Sequence, residues 1–205
     1  MKKTLLATAL LFGLGASGLA AAQDASPWIL RFGYGAVVPE SDNGTLANGT
    51  LKTSVGANSK PTISIEYLFN RNLGIEVLGA LPFRHTISLN GTRAATTRQL
   101  PPTITLNWHF MPGQTISPFL GVGVNYTDFF SERTFGPLAG TRLHIDSSFG
   151  LAAHAGVDFR INDNWLATAD VYWVNIEPDV KVNGAKVGTV KINPLVYGLS
   201  VGYRF

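Results

Sequence analysis

The chain has 205 residues, 22 of them glycine, with no cysteine, only 14% charged residues and a formal net charge of +3. The lack of cysteine excludes disulfides and thiolate chemistry. Two of the lysines belong to an N-terminal leader. The remainder carries 14 basic and 13 acidic side chains, a balance that offers nucleic acid no basic surface.

Residues 1–22 read as a cleaved secretory signal peptide. Lys2 and Lys3 form the charged start, 4–19 is apolar and small, and Ala20-Ala21-Ala22 supplies the cleavage pattern. The apolar run is short and lacks a stop-transfer flank, which argues against an anchor. Cleavage leaves one domain, 23–205. No later stretch is long and apolar enough for a spanning helix. Yet charge is too sparse for a comfortable soluble surface.

Period-two alternation recurs in eight segments: 28–37, 61–69, 73–82, 102–110, 118–127, 150–161, 165–176 and 191–205. Connections 70–72, 111–117 and 162–164 are short, whereas 38–60, 83–101, 128–149 and 177–190 are long. An even strand count puts both termini at the short-turn end. The predicted fold is all-β: an eight-stranded antiparallel up-and-down transmembrane β-barrel with periplasmic turns and outside loops.

The face assignment rests on charge. In the closing segment LVYGLSVGYRF, Leu195, Tyr197, Leu199, Val201, Tyr203 and Phe205 share one face, and small or polar residues share the other. The corresponding apolar set of every strand is free of charge. Arg31, Glu66, Glu76, Asp158, Arg160, Asp170 and Arg204 fall on the opposite face. A soluble barrel would carry charge outside, so the apolar face meets lipid. Trp28, Trp108 and Trp165 lie outward at the short-turn ends, joined there by Phe69, Phe110, Phe159 and Phe205, as an interfacial girdle.

By height, the inward charged residues and His109 form a luminal cluster near the short-turn end, read as a structural ion network. Above them come Leu78, Ala80, Pro82, Ala152, Tyr172, Val174, Ile176, Pro194 and Val196, a candidate apolar channel lining. Side chains can nearly fill an eight-stranded interior, so the upper lumen is either an apolar pocket or a packed plug. Pro82, Pro101 and Pro102 lie at similar heights and lack ladder donors. They either end two strands at the membrane surface or leave a lateral gap.

Turn chemistry allows register tests. If Asn90-Gly91 is a two-residue tip, Val77 faces Ile104, Leu78 faces Thr103, Pro82 faces Gln99 and Ala80 faces Pro101. The same rule at Asn183-Gly184 pairs inward Tyr172 with outward Leu195, so a bulge near Gly188 or an odd-length tip must intervene. Asn43-Gly44-Thr45, Asn48-Gly49-Thr50 and Asn90-Gly91-Thr92 match glycosylation sequons but read better as turns. His85, His109, His144 and His154 lack metal-ligand spacing and read as hydrogen-bonding groups. His85 lies near Ser88, but the next acid along the chain is Asp128, so no hydrolase is expected.

The blocks LPFRHTI (81–87), LPPTITLNWHF (100–110), PFLGVGVNYTDFF (118–130), GVDFRINDNWL (156–166) and INPLVYGLSVGYRF (192–205) resemble the OmpW family of bacterial outer-membrane proteins. The resemblance implies an eight-stranded barrel in the Gram-negative outer membrane with a narrow, largely apolar interior, related to alkane importers. It implies small hydrophobic solutes as cargo and Phe205 as the signal read by the barrel-assembly machinery. The expected partners are therefore outer-membrane lipid, such solutes and that machinery. No nucleic acid, cofactor or covalent chemistry is expected, and the barrel is expected to be a monomer. The rival is a structural or receptor barrel with a closed lumen, its loops binding outside partners; a soluble ligand-binding barrel ranks third.

Overall fold

The computed structural model describes residues 26–205; the signal-peptide expectation lies outside them. The strands in chain order are β1 (Trp28–Val38), β2 (Thr45–Leu46), β3 (Leu51–Val55), β4 (Asn58–Leu68) and β5 (Leu73–Ala80). They continue as β6 (Phe83–Leu89), β7 (Thr92–Leu100), β8 (Thr103–His109), β9 (Ile116–Thr134) and β10 (Leu143–Ile145). The last are β11 (Ser148–Arg160), β12 (Trp165–Val174), β13 (Asp179–Val182), β14 (Ala185–Thr189) and β15 (Leu195–Arg204).

Eight of these, β1, β4, β5, β8, β9, β11, β12 and β15, pair antiparallel around a closed ring. Closure leaves no open edge for lipid to face, which a spanning sheet requires. β15 returns to β1 with Leu30 opposite Tyr203 and Val38 opposite Leu195. The Phe205 amide extends this seam by donating to the Trp28 carbonyl at 3.2 Å.

Two short turns share one chemistry. Asn70 Oδ1 accepts from the amides of Asn72 and Leu73 at 2.8 and 2.9 Å. Asn162 Oδ1 does the same for Asn164 and Trp165 at 3.0 and 2.9 Å. Such Asx turns reverse the chain in three residues without glycine.

Alternation sorts the side chains as expected. Phe32, Ile63, Val77, Leu106, Val122, Leu151 and Leu199 are exposed on the barrel exterior, whereas Arg31, Glu66, Glu76 and Asn107 are buried inside. Trp28, Trp108, Trp165, Phe69, Phe110, Phe159 and Phe205 are all exposed. Tyr67 packs between Trp28 and Phe69, and Tyr203 between Trp165 and Phe205, with ring centroids 4.8 to 5.4 Å apart.

The long connections are not loops. β9 runs on past the barrel and pairs there with β7, which continues through β6 and β3 to β2. β10, β13 and β14 form a second small sheet. Together they build an upper β-layer at the end opposite the termini. Its driving force is burial: Leu46, Leu89, Phe129, Leu143, Ile145, Val180 and Ile192 join Tyr172, Val174 and Ile176 of the upper barrel in one apolar core.

Asn90 and Asn183 adopt positive φ before glycines with positive φ, as two-residue hairpin tips demand. Asn48-Gly49 has the same backbone signs. Asn43 departs from the turn reading. It is buried, accepts from the Val55 amide at 2.7 Å and donates to the Lys191 carbonyl at 2.7 Å, strapping three segments together.

Candidate functional site

The lower lumen centres on Arg31, contributed by β1 where the inward parity meets the middle of the ring. Its guanidinium donates to Glu66 Oε2 at 2.8 Å, approaches Glu76 Oε1 at 3.7 Å and reaches Asp158 Oδ2 at 3.2 Å. Arg31 Nε donates to Thr168 Oγ1 at 3.2 Å, and that hydroxyl donates to Asp158 Oδ1 at 2.6 Å. Asn107 Nδ2 donates to Glu66 and Glu76 at 3.3 and 2.8 Å. His109 Nε2 lies 2.9 Å from Glu66 Oε1, and His154 Nδ1 lies 3.1 Å from Asn107 Oδ1. Among the described residues, Asp170 joins only through His154, 4.0 Å away.

Inward glycines make room for this cluster. At Gly198 a Cβ would collide with the Asp170 carboxylate, and at Gly121 with Asn107 Oδ1. The space glycine leaves in the lower lumen is thus filled by polar side chains, not by water-wide pore.

Two residues expected in the cluster stand outside it. Arg160 is exposed at the end of β11, and Arg204 donates from Nε to the Ser26 carbonyl at 3.0 Å. Neither has an ion pair among the described residues. Both line a vestibule of about 740 Å³ at the short-turn end, which reaches up to His109 and Asp158. Parity gives the face of a side chain but not its depth. At a strand end, a long arginine reaches water more cheaply than it reaches a buried carboxylate. Asn107, Thr168 and His154 were the members that charge alone did not single out. Their inward parity on β8, β12 and β11 was the available signal.

Above the cluster the lumen is apolar. Leu78, Ala80, Tyr172, Val174, Ile176, Pro194 and Val196 line a small cavity of about 20 Å³, together with Phe83 and Gln99 of the upper hairpin. Ala152 is buried in the adjoining core and Pro82 is half-buried, but neither lines this space. The larger void lies higher, in the upper layer that was expected to be loop. It measures about 200 Å³ and is walled by residues such as Leu46, Leu89, Phe129, Leu143, Val180 and Ile192. Gln99 borders both cavities.

The proline region needs one correction and keeps one feature. β5 and β8 pair in the expected register, Val77 with Ile104 and Leu78 with Thr103. Pairing resumes across the same seam at Phe83 opposite Gln99, so Pro82 does not face Gln99. A bulge between Ile87 and Ser88 shifts the hairpin by one residue. Residues 79–82 and 100–102 are left without ladder partners across that seam. The flanks are held: Ala80 pairs with Thr62 on β4, and Asn125 Nδ2 donates to the Pro101 and Pro102 carbonyls at 3.2 and 3.1 Å.

A closed eight-stranded ring with a charge-free apolar exterior, an aromatic belt and a polar base defines a bacterial outer-membrane β-barrel. A model of the OmpW family matches residues 24–205, and the chain belongs to that family. It is 34% identical over 220 residues to outer membrane protein W of Vibrio cholerae, across 100% of both chains. The crystal structure of outer membrane protein OprG from Pseudomonas aeruginosa superposes with a TM-score of 0.78 at 28% identity, over 88% of this chain and 97% of that one. A more distant relative is the dibenzothiophene metabolism operon protein PahQ of Pseudomonas aeruginosa, 24% identical over 192 residues, 88% of this chain and 89% of that protein. The protein resides in the Gram-negative outer membrane, embedded in its lipid.

Proposed function

We propose that this barrel passes small hydrophobic molecules from outside into the outer membrane, with the upper apolar cavity as the receiving site. The observation that carries the reading is that cavity, about 200 Å³ of largely apolar-walled space at the outer end of a barrel whose base is charged. A hydrophobic solute gains nothing by crossing the Arg31 network, since breaking buried ion pairs is costly. It gains by moving sideways into lipid. The seam without ladder bonds at 79–82 and 100–102 adjoins the small cavity through Leu78, Ala80 and Pro101, which makes it the candidate lateral exit. PahQ, named for an operon that metabolises an apolar aromatic, is in keeping with such cargo. The barrel works as a monomer, and the exposed Trp28, Trp108 and Trp165 anchor it at the interface.

The test is uptake into liposomes. Val174 is buried and lines the small cavity. Val174→Asp places an unpartnered carboxylate on the route, and uptake of an apolar solute should fall roughly tenfold or more. Small-ion conductance should not change. Unchanged uptake by a folded, heat-modifiable variant would move the route elsewhere.

Assembly offers a second test. Phe205, outward at the end of β15, is proposed to be read by the assembly machinery during insertion. Its deletion should lower the outer-membrane level severalfold while export to the periplasm continues. A truncated chain at normal outer-membrane levels would refute that role.

A further inference from the structure

The upper cavity is not uniformly apolar. One wall carries three buried polar side chains, His85, Thr97 and Gln99, all on the inner face of the β6–β7 hairpin. Thr97 Oγ1 donates to the Arg98 carbonyl at 3.3 Å. The other two are less well served. His85 is 1% exposed and Gln99 is fully buried, at 0%. His85 Nε2, Gln99 Oε1 and Gln99 Nε2 have no hydrogen-bonding partner among the described residues.

The proton on His85 can be placed. Nδ1 lies 2.6 Å from the Gly56 carbonyl oxygen, which only accepts, so Nδ1 carries the hydrogen. Burial holds the imidazole below its ordinary value, so it is neutral and Nε2 presents a lone pair. Gln99 presents both a carbonyl oxygen and two N–H groups. His85 pairs with Thr97 and Phe83 with Gln99, so His85 and Gln99 are diagonal neighbours, within reach of one small group.

An apolar cargo alone would leave these atoms unpaired, which is costly in a buried wall. We propose that the cavity selects apolar molecules bearing a single hydroxyl, an alkanol or a phenol. The ligand O–H donates to His85 Nε2, and the Gln99 amide donates to the ligand oxygen. A carboxylate does not fit, because no lysine or arginine among the described residues lines the cavity. Size sets the scale of the apolar part. A cavity of ~150 Å³ holds benzene, so one of about 200 Å³ holds about eight heavy atoms. This inference rests on the hydrophobic-cargo reading and narrows it: Gln99, standing between the two cavities, becomes the specificity-determining residue.

The experiment compares p-cresol with p-xylene, which match in size and differ by one hydroxyl. Both are titrated into the full-length protein in lipid nanodiscs, with β6 and β7 amide chemical shifts as the local readout and empty nanodiscs correcting for partition. p-Cresol should bind about tenfold tighter, the ratio one neutral hydrogen bond to unpaired buried groups supplies. Gln99→Leu and His85→Phe should each shrink that ratio and tighten p-xylene. Equal affinities in the unaltered protein would mean that water serves the pair, and would overturn the hydroxyl preference while leaving hydrophobic cargo intact. A preference that survives both substitutions in folded variants would overturn the assignment to these residues. Binding of neither ligand in the cavity would sink the cargo reading, and the inference with it.

Discussion

Arg31→Met should destabilise the barrel by about 3–5 kcal/mol, more than any other single change in the lower lumen. Methionine keeps much of the volume but removes the guanidinium that faces Glu66, Glu76 and Asp158. Arg31 is 3% exposed and Glu66 fully buried, so water cannot replace the guanidinium. The remaining donors, Asn107, Thr168, His109 and His154, would then share an uncompensated set of carboxylates. Glu66→Gln should cost less, because the guanidinium keeps Asp158 and Glu76. The double variant should cost less than the two single changes together, since removing both charges relieves the repulsion left by removing one. Urea unfolding in lipid vesicles measures all three. Additive losses would mean that Arg31 and Glu66 act independently and that the cluster is not one network.

The lower barrel was legible because lipid enforces a strict rule. With charge excluded from one face over eight strands, parity alone separated lumen from exterior. The Asn90-Gly91 tip puts Leu78 opposite Thr103, as observed, because the one-residue shift at Ile87/Ser88 is undone in the unpaired stretch between. At Asn183-Gly184 the arithmetic failed by one residue. The cause is a bulge between Val180 and Lys181, opposite the stretch that holds Val187 and Gly188. It restores Tyr172 to an inward partner, Val196. A mismatch between turn and face was therefore a structural signal, since a one-residue slip would expose every luminal side chain to lipid.

The upper layer was less legible, and so was the larger cavity. Its strands are short and pair with distant segments: β3 with β6, β10 with β13, β7 with the end of β9. β3, β10 and β13 offer only three to five residues of alternation, which is weak evidence, and nothing local names the distant partner. His85 shows the consequence. As one histidine in an apparent loop it reads only as a hydrogen-bonding group, with nothing to place it in a cavity wall. Pairing with Thr97 on β7, the bond to the Gly56 carbonyl and the cavity shared with β3 and β13 make it a buried acceptor in a wall.

A cross-link across the unpaired seam should abolish transport reversibly. Ala80 and Pro101 line the same small cavity from the two sides of the unpaired seam. A disulfide spans a Cα separation of ~4.4–6.8 Å, so bond formation itself reports whether the two sides approach that closely. Protein-wide consequences should be slight, since Ala80 remains paired to Thr62 and the Pro101 carbonyl is still held by Asn125. The native chain has no cysteine, so Ala80→Cys with Pro101→Cys forms one defined bond. If solute leaves through this seam, the oxidised form should lose most of its uptake, on the order of tenfold or more. The scale is set by the competing route, which breaks the Arg31 ion network at about 3–5 kcal/mol. Reductant should restore uptake, and each single cysteine variant should transport in both states. That reversibility separates closure of the gap from loss of Pro101, which is common to oxidised and reduced protein. Equal transport by the two forms, with the bond verified, would place the exit elsewhere on the wall.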